Sequence, residues 1–553
     1  MRSTLALVLD LAVSGLLLAV VFIIFTGGGV YHVAGIRLSA RTTTNPLLLA
    51  VILSAVRLSL RSAQPFLRLQ RAGSFNFSDR ADRLAERVDS ASMTRHRALK
   101  RVVVFTCIGV VLIKLGLAWM QEGFFSGDDV EVHEMTLAVL LERAWPVWSL
   151  RNAFYPMAVI YPGQWVMHAL GIHDPAVLVY TGRAVVAVLS TLTIFFTWRV
   201  GRRLFGEAVG YALVAALLVA VNKLHVAFGS TELPRPVATV LLVLAFLTLL
   251  RGTVGSAAAA GALVGVAAAF RYSEATFLAA GLLHLALERQ WTRAVAFGMA
   301  GAGIGALVVG AADVLYWGSP FYSLHQAVDY TLVNRLSSRG YQPIGWYVTH
   351  VPEWSTWPVI ALAAAGTLRA PVSVTLWAWV PVLVLSLLPH KEARYLVPSV
   401  PFISLLAAYG VQALIGTAAR PILSIERSRV STVLAVALVF SVLQEAGDWR
   451  LRRTDADVTM FEHTVVPALR AGEVVSVEQA WRVGGHLYLP SGVQLVDLDP
   501  SLLSAADLLQ TGGWIILDVN SVERLALRDD LGAAGYIEFP ISAQSSYRVF
   551  QRP

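Results

Sequence analysis

Long apolar runs alternate with short polar connections over most of the chain. The runs extend over roughly 16–24 residues, and about 20 apolar residues are enough for a helix to cross a lipid bilayer. The pattern therefore predicts an all-α polytopic membrane protein with about thirteen transmembrane helices.

The N-terminal part of the pattern fixes an expected topology. The first two spans form a transmembrane hairpin over residues 1–62, and residues 63–100 form a linker rich in arginine. Lys and Arg are enriched in cytoplasmic loops of membrane proteins, so the linker is expected in the cytoplasm. The next span, 102–119, then runs outward and places the acidic segment Gly127–Glu134 on the extracytoplasmic side.

The remaining chain divides into a transmembrane domain and a polar domain. Residues 101–446 carry the other spans and two long aromatic external loops, 120–175 and 317–356. Beyond residue 446, charged residues become frequent and short alternating segments replace the apolar runs, which predicts an extracytoplasmic α/β domain over 447–553. Its expected strands are 474–477, 494–498, 514–519 and 547–550, and its expected helices are 502–509 and 522–531.

Composition supports the membrane assignment and excludes other classes. Of the 553 residues, 56% are hydrophobic and only 14% are charged, whereas soluble domains average about 25% charged residues. The net charge of +8 lies largely in loops, where it reports topology rather than binding to nucleic acid. Cys107 is the one cysteine, so the chain has neither an internal disulfide nor a thiolate zinc site.

The external segments combine three kinds of side chain that suit transfer of a sugar from a lipid phosphate. A carboxylate takes the proton of an acceptor hydroxyl, cations hold the phosphate of the leaving group, and aromatic faces and polar groups bind sugars. The candidates are the carboxylates Asp128 and Asp129, the cations His390, Lys391, Arg394 and Arg271, and the aromatic residues Tyr316, Trp317, Tyr341, Trp346 and Tyr347.

Each group also has an ordinary structural interpretation. An acidic pair in a loop is commonly just solvated, and cations at the end of a span commonly reach for lipid headgroups. Aromatic residues near the interface commonly anchor the protein in the membrane. Glu131 and His133, together with the two aspartates, are also compatible with a hard divalent cation bound through oxygen atoms.

Several motifs resemble the glycosyltransferase 22 family of the GT-C superfamily, which holds the mannosyltransferases of GPI-anchor and N-glycan lipid precursors. His390–Phe402, read His-Lys-Glu-Ala-Arg-Tyr-Leu-Val-Pro-Ser-Val-Pro-Phe, resembles its H-K-E-x-R-F/Y…P…P signature. Weaker similarities follow the family's order over roughly 101–446. They are Gly127-Asp-Asp, Leu150-Arg-Asn-Ala-Phe-Tyr-Pro156, Phe270-Arg271, Asp313–Gly318 and Asn334–Tyr347.

The resemblance implies an inverting transfer from a polyprenyl-phosphate sugar, with mannose as the family's usual sugar and a glycan or glycolipid as acceptor. It implies that Asp128 deprotonates the acceptor, that Asp129 either orients the acceptor or shares the role of base, and that the four cations hold the donor phosphate. The expected substrate contacts are Glu131, Tyr316, Tyr341, Trp346 and Tyr347. No cofactor is required, and the use of a divalent metal is left open.

The N-terminal hairpin, the α/β domain and the Ala/Val/Gly/Arg-rich composition suggest a prokaryotic member in the plasma membrane, with its active site outside. A flippase or transporter is the main alternative, and it predicts inverted repeats and ionisable residues in mid-span. A polysaccharide polymerase or ligase is a closer alternative, because it also uses a lipid-linked donor.

Overall fold

The computed structural model of the protein describes residues 29–33, 36–40, 79–146, 150–206, 208–334, 341–418, 434, 437–499, 508, 513–541 and 545–552. Both spans of the predicted N-terminal hairpin lie outside these residues. The described part of that segment is an antiparallel pair of strands, β1 (Gly29–Val33) and β2 (Ile36–Ala40). Helix α1 (Asp79–Trp119) then joins the end of the polar linker to the next span without a break.

Apolar helices follow one another through residues 102–416, the stretch in which the sequence predicts most of the spans. In chain order, the helices that follow α1 are α2 (Gly127–Leu140), α3 (Tyr161–Ala169), α4 (Pro175–Phe205), α5 (Val209–Val221), α6 (Lys223–Phe228), α7 (Pro234–Leu249), α8 (Val254–Phe270), α9 (Thr276–Leu287), α10 (Trp291–Trp317), α11 (Tyr322–Val328), α12 (Trp346–Thr349), α13 (Val351–Trp354), α14 (Trp357–Thr367), α15 (Val372–Leu387) and α16 (Val400–Ala418). The two predicted external loops thus contain short helices of their own.

Length limits how many of these helices cross a membrane by themselves. Within the described residues, four segments are long and apolar enough to do so: Leu99–Trp119, Pro175–Phe205, Trp291–Trp317 and Ala393–Leu414. Five further apolar helices have only 11–17 residues, and at about 1.5 Å per residue they are shorter than a hydrocarbon core of about 30 Å. The membrane-protein class is confirmed, while the count of thirteen spans stays a prediction.

Glycines let the apolar helices approach each other closely. A Cβ atom on Gly261 of α8 would lie 2.0 Å from the carbonyl oxygen of Phe297 in α10. In the pair α14 and α16, a Cβ on Gly410 would lie 2.0 Å from the oxygen of Leu362. Small residues favour such contacts between membrane helices, because backbones then pack directly on each other.

The C-terminal domain begins with α17 (Asp455–Met460) and contains one five-stranded sheet. Its strands are β3 (Val474–Glu478), β4 (Gln494–Leu498), β5 (Trp514–Asp518), β6 (Ile537–Phe539) and β7 (Tyr547–Gln551), in the spatial order β4-β3-β5-β7-β6. Strand β3 pairs in parallel with β4 and β5, and β7 pairs antiparallel with β5 and β6. Alternate residues face two separate apolar clusters, so both faces of the sheet are covered.

The small C-terminal sheet predicted from the sequence is therefore present, with two corrections to its elements. The short strand β6 was not predicted. The helix expected over 522–531 is instead two helices, α18 (Val519–Arg524) and α19 (Leu527–Ala533), because Ala526 between them has a positive φ of 49°. The helix expected over 502–509 lies outside the described residues except for Leu508.

Candidate active site

The acidic segment Gly127–Glu134, predicted as a loop, forms the first two turns of helix α2. Oδ2 of Asp129 accepts hydrogen bonds from the backbone N–H groups of Phe125, at 2.9 Å, and Ser126, at 3.2 Å. This bonding is that of a capping box, and the spacing Ser126-x-x-Asp129 in the sequence was a signal for it. The prediction of a loop was wrong because an acidic side chain in the first turn satisfies free N–H groups.

Buried polar residues hold α2 against the membrane helices. Nε of Arg183 lies 3.0 Å from Oε2 of Glu232, and its Nη2 donates to the carbonyl oxygen of Gly123 at 2.9 Å, just before α2. His133 of α2 has Nε2 at 3.5 Å from Glu232 and accepts at Nδ1 from Gln164 at 3.0 Å. These contacts fix the start and one face of α2, so its N-terminus has a defined place.

The C-terminal domain fixes α2 from the other side. The backbone N–H of Phe124 donates to Oγ1 of Thr454, and that of Gly123 donates to Oδ1 of Asp455. Farther along α2, Oε1 of Glu134 lies 2.9 Å from both the backbone nitrogen and Nδ1 of His486. Helix α2 is therefore clamped between the membrane helices and the α/β domain.

Three arginines from separate segments converge on Asp128. Arg151 donates to its Oδ1, Nη2 of Arg394 lies 3.2 Å from its Oδ2, and Nη2 of Arg271 lies 3.6 Å from the same oxygen. Burial alone would raise the pKa of Asp128, but Arg151, then Arg394 and Arg271, hold it well below its usual range. Asp128 is therefore a carboxylate at any physiological pH.

The arginines also bind other carboxylates, so the cluster alternates in charge. Arg151 donates to Glu131 as well as to Asp128, and Arg394 donates to Glu392 as well. Three carboxylates thus face three guanidinium groups. Arg271 is the most accessible of the arginines, with 26% of its side chain exposed against 9% for Arg151 and 6% for Arg394. An anion entering the site would meet Arg271 first.

Glu131 and Asp129 differ from Asp128 in their proton affinity. Burial raises the pKa of Glu131 to about 7, and the charge of Arg151 does not offset it. Burial and the charge of Glu232 likewise raise the pKa of Asp129 to about 7. Neighbouring carboxyl groups whose pKa values are pushed apart are a common sign of divided acid and base roles.

The segment His390–Tyr395 is built to present Arg394. Nζ of Lys391 donates to the carbonyl oxygens of Gln342, at 2.9 Å, and Leu388, at 2.5 Å. Nε2 of His390 lies 3.4 Å from Oε1 of Glu392, and the hydroxyl of Tyr347 donates to the Glu392 carbonyl at 3.3 Å. Of the four predicted phosphate-binding cations, the structure therefore brings Arg271 and Arg394 to Asp128, whereas His390 lies beside Glu392 and Lys391 binds backbone carbonyl oxygens.

The predicted aromatic contacts are spread over different environments. Tyr341 is 74% exposed, whereas Trp346 is buried and stacks on His350 with 4.5 Å between ring centroids. Tyr316 packs edge-to-face on Trp317, whose indole nitrogen donates to the carbonyl oxygen of Arg151 at 3.1 Å. Substrate binding by Tyr316, Tyr341, Trp346 and Tyr347 stays a prediction.

Sequence reasoning did not assign three groups that the structure places in the cluster. They are Arg151, Glu392 and Ser126, whose Oγ accepts from Nη1 of Arg394 at 3.0 Å. Arg151 stands in the motif Leu150–Pro156, so the signal was present without an assigned role. Among the described residues, no group of three or more His, Cys, Asp or Glu side chains is arranged to hold a metal ion, and metal dependence stays untested.

The fold is similar to those of three solved structures. It resembles ArnT from Cupriavidus metallidurans bound to undecaprenyl phosphate, with a TM-score of 0.58 and 14% identity over 82% of this chain and 97% of that chain. The Archaeoglobus fulgidus oligosaccharyltransferase in the apo form has a TM-score of 0.51 and 10% identity, over 82% of this chain and 74% of that chain. The mycobacterial arabinofuranosyltransferase AftD has a TM-score of 0.51 and 13% identity, over 82% of this chain and 40% of that chain. At these identities the likeness establishes a shared GT-C fold.

Sequence comparison gives a family. None of the curated proteins matches this chain. The model of the Alg9-like mannosyltransferase family matches residues 130–458, which is more than half of the chain and begins two residues after Asp128. The resemblance to glycosyltransferase 22 seen in the motifs is thereby confirmed, and the chain, a membrane glycosyltransferase, belongs to the Alg9-like mannosyltransferase family.

Proposed function

We propose that the protein transfers mannose, with inversion, from a polyprenyl-phosphate donor to a lipid-linked or glycan acceptor. We place the reaction on the extracytoplasmic face of a prokaryotic plasma membrane. The observation that carries the proposal is the convergence of Arg151, Arg271 and Arg394 on Asp128. A base lies there beside a concentration of positive charge suited to a phosphate leaving group.

In the proposed reaction, an oxygen of the acceptor attacks the anomeric carbon of the donor sugar. The bond between that carbon and the phosphate oxygen breaks, and its electron pair leaves with the polyprenyl phosphate. Asp128 takes the proton of the acceptor hydroxyl. The arginines stabilise the negative charge that develops on the leaving phosphate, and Arg271, the most exposed of them, makes the first contact.

The arginine cluster links donor binding to the basicity of Asp128. Without a donor, the three guanidinium groups are directed at this carboxylate and weaken it as a base. A bound phosphate shares the same guanidinium groups and draws their charge away from Asp128, so the pKa of Asp128 rises. We therefore expect the acceptor to be deprotonated only after the donor has bound.

Two comparisons support the proposed donor, one for its sugar and the other for its lipid phosphate. The family is named for mannosyltransferases, which supports mannose as the sugar. The ArnT structure with a similar fold contains undecaprenyl phosphate, which is a polyprenyl phosphate. Membership in a glycosyltransferase family also favours sugar transfer over the alternative of a lipid flippase.

Donor choice and the role of Arg271 are tested together. The purified protein in lipid nanodiscs is given polyprenyl-phosphate mannose or a nucleotide-activated mannose, with glycolipid acceptors. We expect transfer from the lipid phosphate alone. Loss of a hydrogen bond to a charged group costs about 1.5–3 kcal/mol, so Arg271→Gln should raise the KM for the donor about 10- to 150-fold.

The exposed Arg524 of the C-terminal domain supplies the matched control. Arg524→Gln removes the same charge away from Asp128 and should leave the donor KM unchanged. Transfer from the nucleotide sugar alone would contradict the proposed donor class. An unchanged donor KM in Arg271→Gln would contradict the proposed phosphate site while leaving the donor class intact.

A further inference from the structure

A cleft lies between the C-terminal end of α2 and the edge of the sheet in the C-terminal domain. Its volume is about 450 Å³, within the usual range of ligand pockets, roughly 300–1,000 Å³. One wall comes from Arg143 and Trp145, in the segment that follows α2, together with His486, and the other from Ser491 and strand β4.

Hydrogen bonds connect the cleft to the helix that carries Asp128. His486 lines it and is bonded through two nitrogens to Glu134 of α2. Glu134 stands six residues after Asp128, which corresponds to about 9 Å along a helix axis. The 14-residue helix α2 therefore has the arginine cluster at its N-terminus and the cleft near its C-terminus, about 20 Å away.

Planar groups form one wall of the cleft. Trp145 stacks on His486 with ring centroids 5.8 Å apart and an interplanar angle of 22°. The guanidinium carbon of Arg143 lies 5.6 Å from the Trp145 ring centroid. Such a wall offers apolar surface together with N–H donors at its edges.

The opposite wall offers neutral hydrogen-bonding groups. Among the described strands, β4 lies at the edge of the sheet and pairs with β3, and it exposes Gln494. Arg143 reaches across to donate to the carbonyl oxygen of Leu489, at 3.1 Å, and to Oγ of Ser491, at 2.9 Å. No carboxylate occurs among the described residues that line the cleft.

We propose that this cleft binds a saccharide segment of the acceptor, remote from the hydroxyl that receives the new sugar. Sugar rings combine apolar C–H faces with many hydroxyl groups, which matches a planar wall that faces neutral donors and acceptors. Arg143 bridges the end of the cleft that precedes β4, so the space suits a compact ligand better than an extended peptide strand. The proposal rests on the proposed function and adds that the acceptor is an oligosaccharide chain.

Binding is measured directly on the full-length protein in nanodiscs, without donor. The probes are linear tetrasaccharides of mannose, galactose, glucose and arabinofuranose and the matching disaccharides, followed by saturation-transfer NMR and calorimetry. We expect at least one tetrasaccharide to bind, and Trp145→Ala and Arg143→Gln to weaken it at least tenfold. Gln494→Ala changes an exposed side chain and gives a second test that does not depend on packing.

Arg524→Gln, on the same domain but outside the cleft, should bind the tetrasaccharide like the wild type. The proposal is overturned if none of the tetrasaccharides binds, if the cleft variants bind as tightly as the control, or if a strand-forming peptide competes for β4 where sugars do not. In transfer assays, the KM for a long acceptor relative to a short one should rise in the cleft variants. Sugar transfer without saccharide binding in the cleft would contradict this inference alone. Saccharide binding without sugar transfer would contradict the proposed function alone.

Discussion

The opposite electrostatic environments of Asp128 and Glu131 make a prediction about stability. The two carboxyl groups lie three residues apart on α2 and both accept from Arg151. The arginines hold the pKa of Asp128 well below its usual range, whereas burial raises that of Glu131 to about 7. We therefore expect Asp128→Asn to destabilise the protein and Glu131→Gln to stabilise it at alkaline pH.

The magnitudes follow from these contacts. Removing one partner of a buried ion pair costs about 3–5 kcal/mol, because the other charge stays buried without compensation; this is the expected loss for Asp128→Asn. For Glu131, the rise from 4.5 to about 7 corresponds, at about 1.4 kcal/mol per pKa unit, to a penalty of about 3 kcal/mol on the charged form. The side chain is only 11% exposed, so screening by solvent is small.

The sign of the pH dependence follows from the raised pKa of Glu131. The folded state binds the proton of Glu131 more tightly than the unfolded state does, so the contribution of Glu131 to stability falls as the pH rises from about 4.5 to about 7 and is then level. Glutamine does not titrate. The advantage of Glu131→Gln over the wild type should therefore be about 3 kcal/mol larger at pH 8 than at pH 4.5. Removing Asp128 also removes its repulsion of charged Glu131 and Asp129, so the loss in Asp128→Asn should be smaller at pH 8 than at pH 4.5.

The assay is thermal unfolding in nanodiscs, followed by intrinsic fluorescence at pH 4.5 and 8. For a chain of this size, the unfolding entropy makes about 1 kcal/mol correspond to about 1 °C. The exposed Glu523→Gln serves as the control and should not shift the apparent Tm. The reasoning is refuted if the gain in apparent Tm from Glu131→Gln is smaller at pH 8 than at pH 4.5. It is also refuted if Asp128→Asn has the same apparent Tm as the wild type.

The same geometry makes two further predictions. If Asp128 is the base, kcat/KM, which reports the free enzyme, should be level from pH 5 to 8, because the pKa of Asp128 without donor lies well below that range; a tenfold fall in kcat/KM per pH unit below about 7 would instead identify Glu131 or Asp129. Gly410→Ala would place a Cβ 2.0 Å from the Leu362 carbonyl oxygen, so α14 and α16 must separate and the apparent Tm should fall by about 1–3 °C. Gly303→Ala meets no atom within 4 Å and should be neutral in the same unfolding assay; a Gly410 variant as stable as this control would refute the close packing.

The sequence predicted those parts of the fold that depend on one segment at a time. The apolar runs between residues 102 and 416 form helices, because the length and hydrophobicity of a run are properties of its own residues. The ends were less predictable: α1 continues upstream of its apolar part to Asp79. The break at Ala526 depends on one residue with a positive φ, which composition does not reveal.

The candidate site likewise contains residues that the sequence predicts and residues that it does not. Asp128, Arg271 and Arg394 were identified from their residue types and motifs, and the structure brings them into contact. Arg151 was missed as a site residue because a lone arginine in a polar loop commonly stays solvated. The bond from Glu134 to His486 joins residues 352 positions apart, and no local pattern predicts such a pair.

The central claim is tested most directly by the single-turnover rate of transfer from polyprenyl-phosphate mannose in nanodiscs, with saturating donor. A positioned general base contributes about 10²- to 10⁴-fold to the rate. The wild type should transfer the sugar, and Asp128→Asn should be slower by that factor while still binding donor. Full transfer by Asp128→Asn, or none by the wild type, would contradict the account.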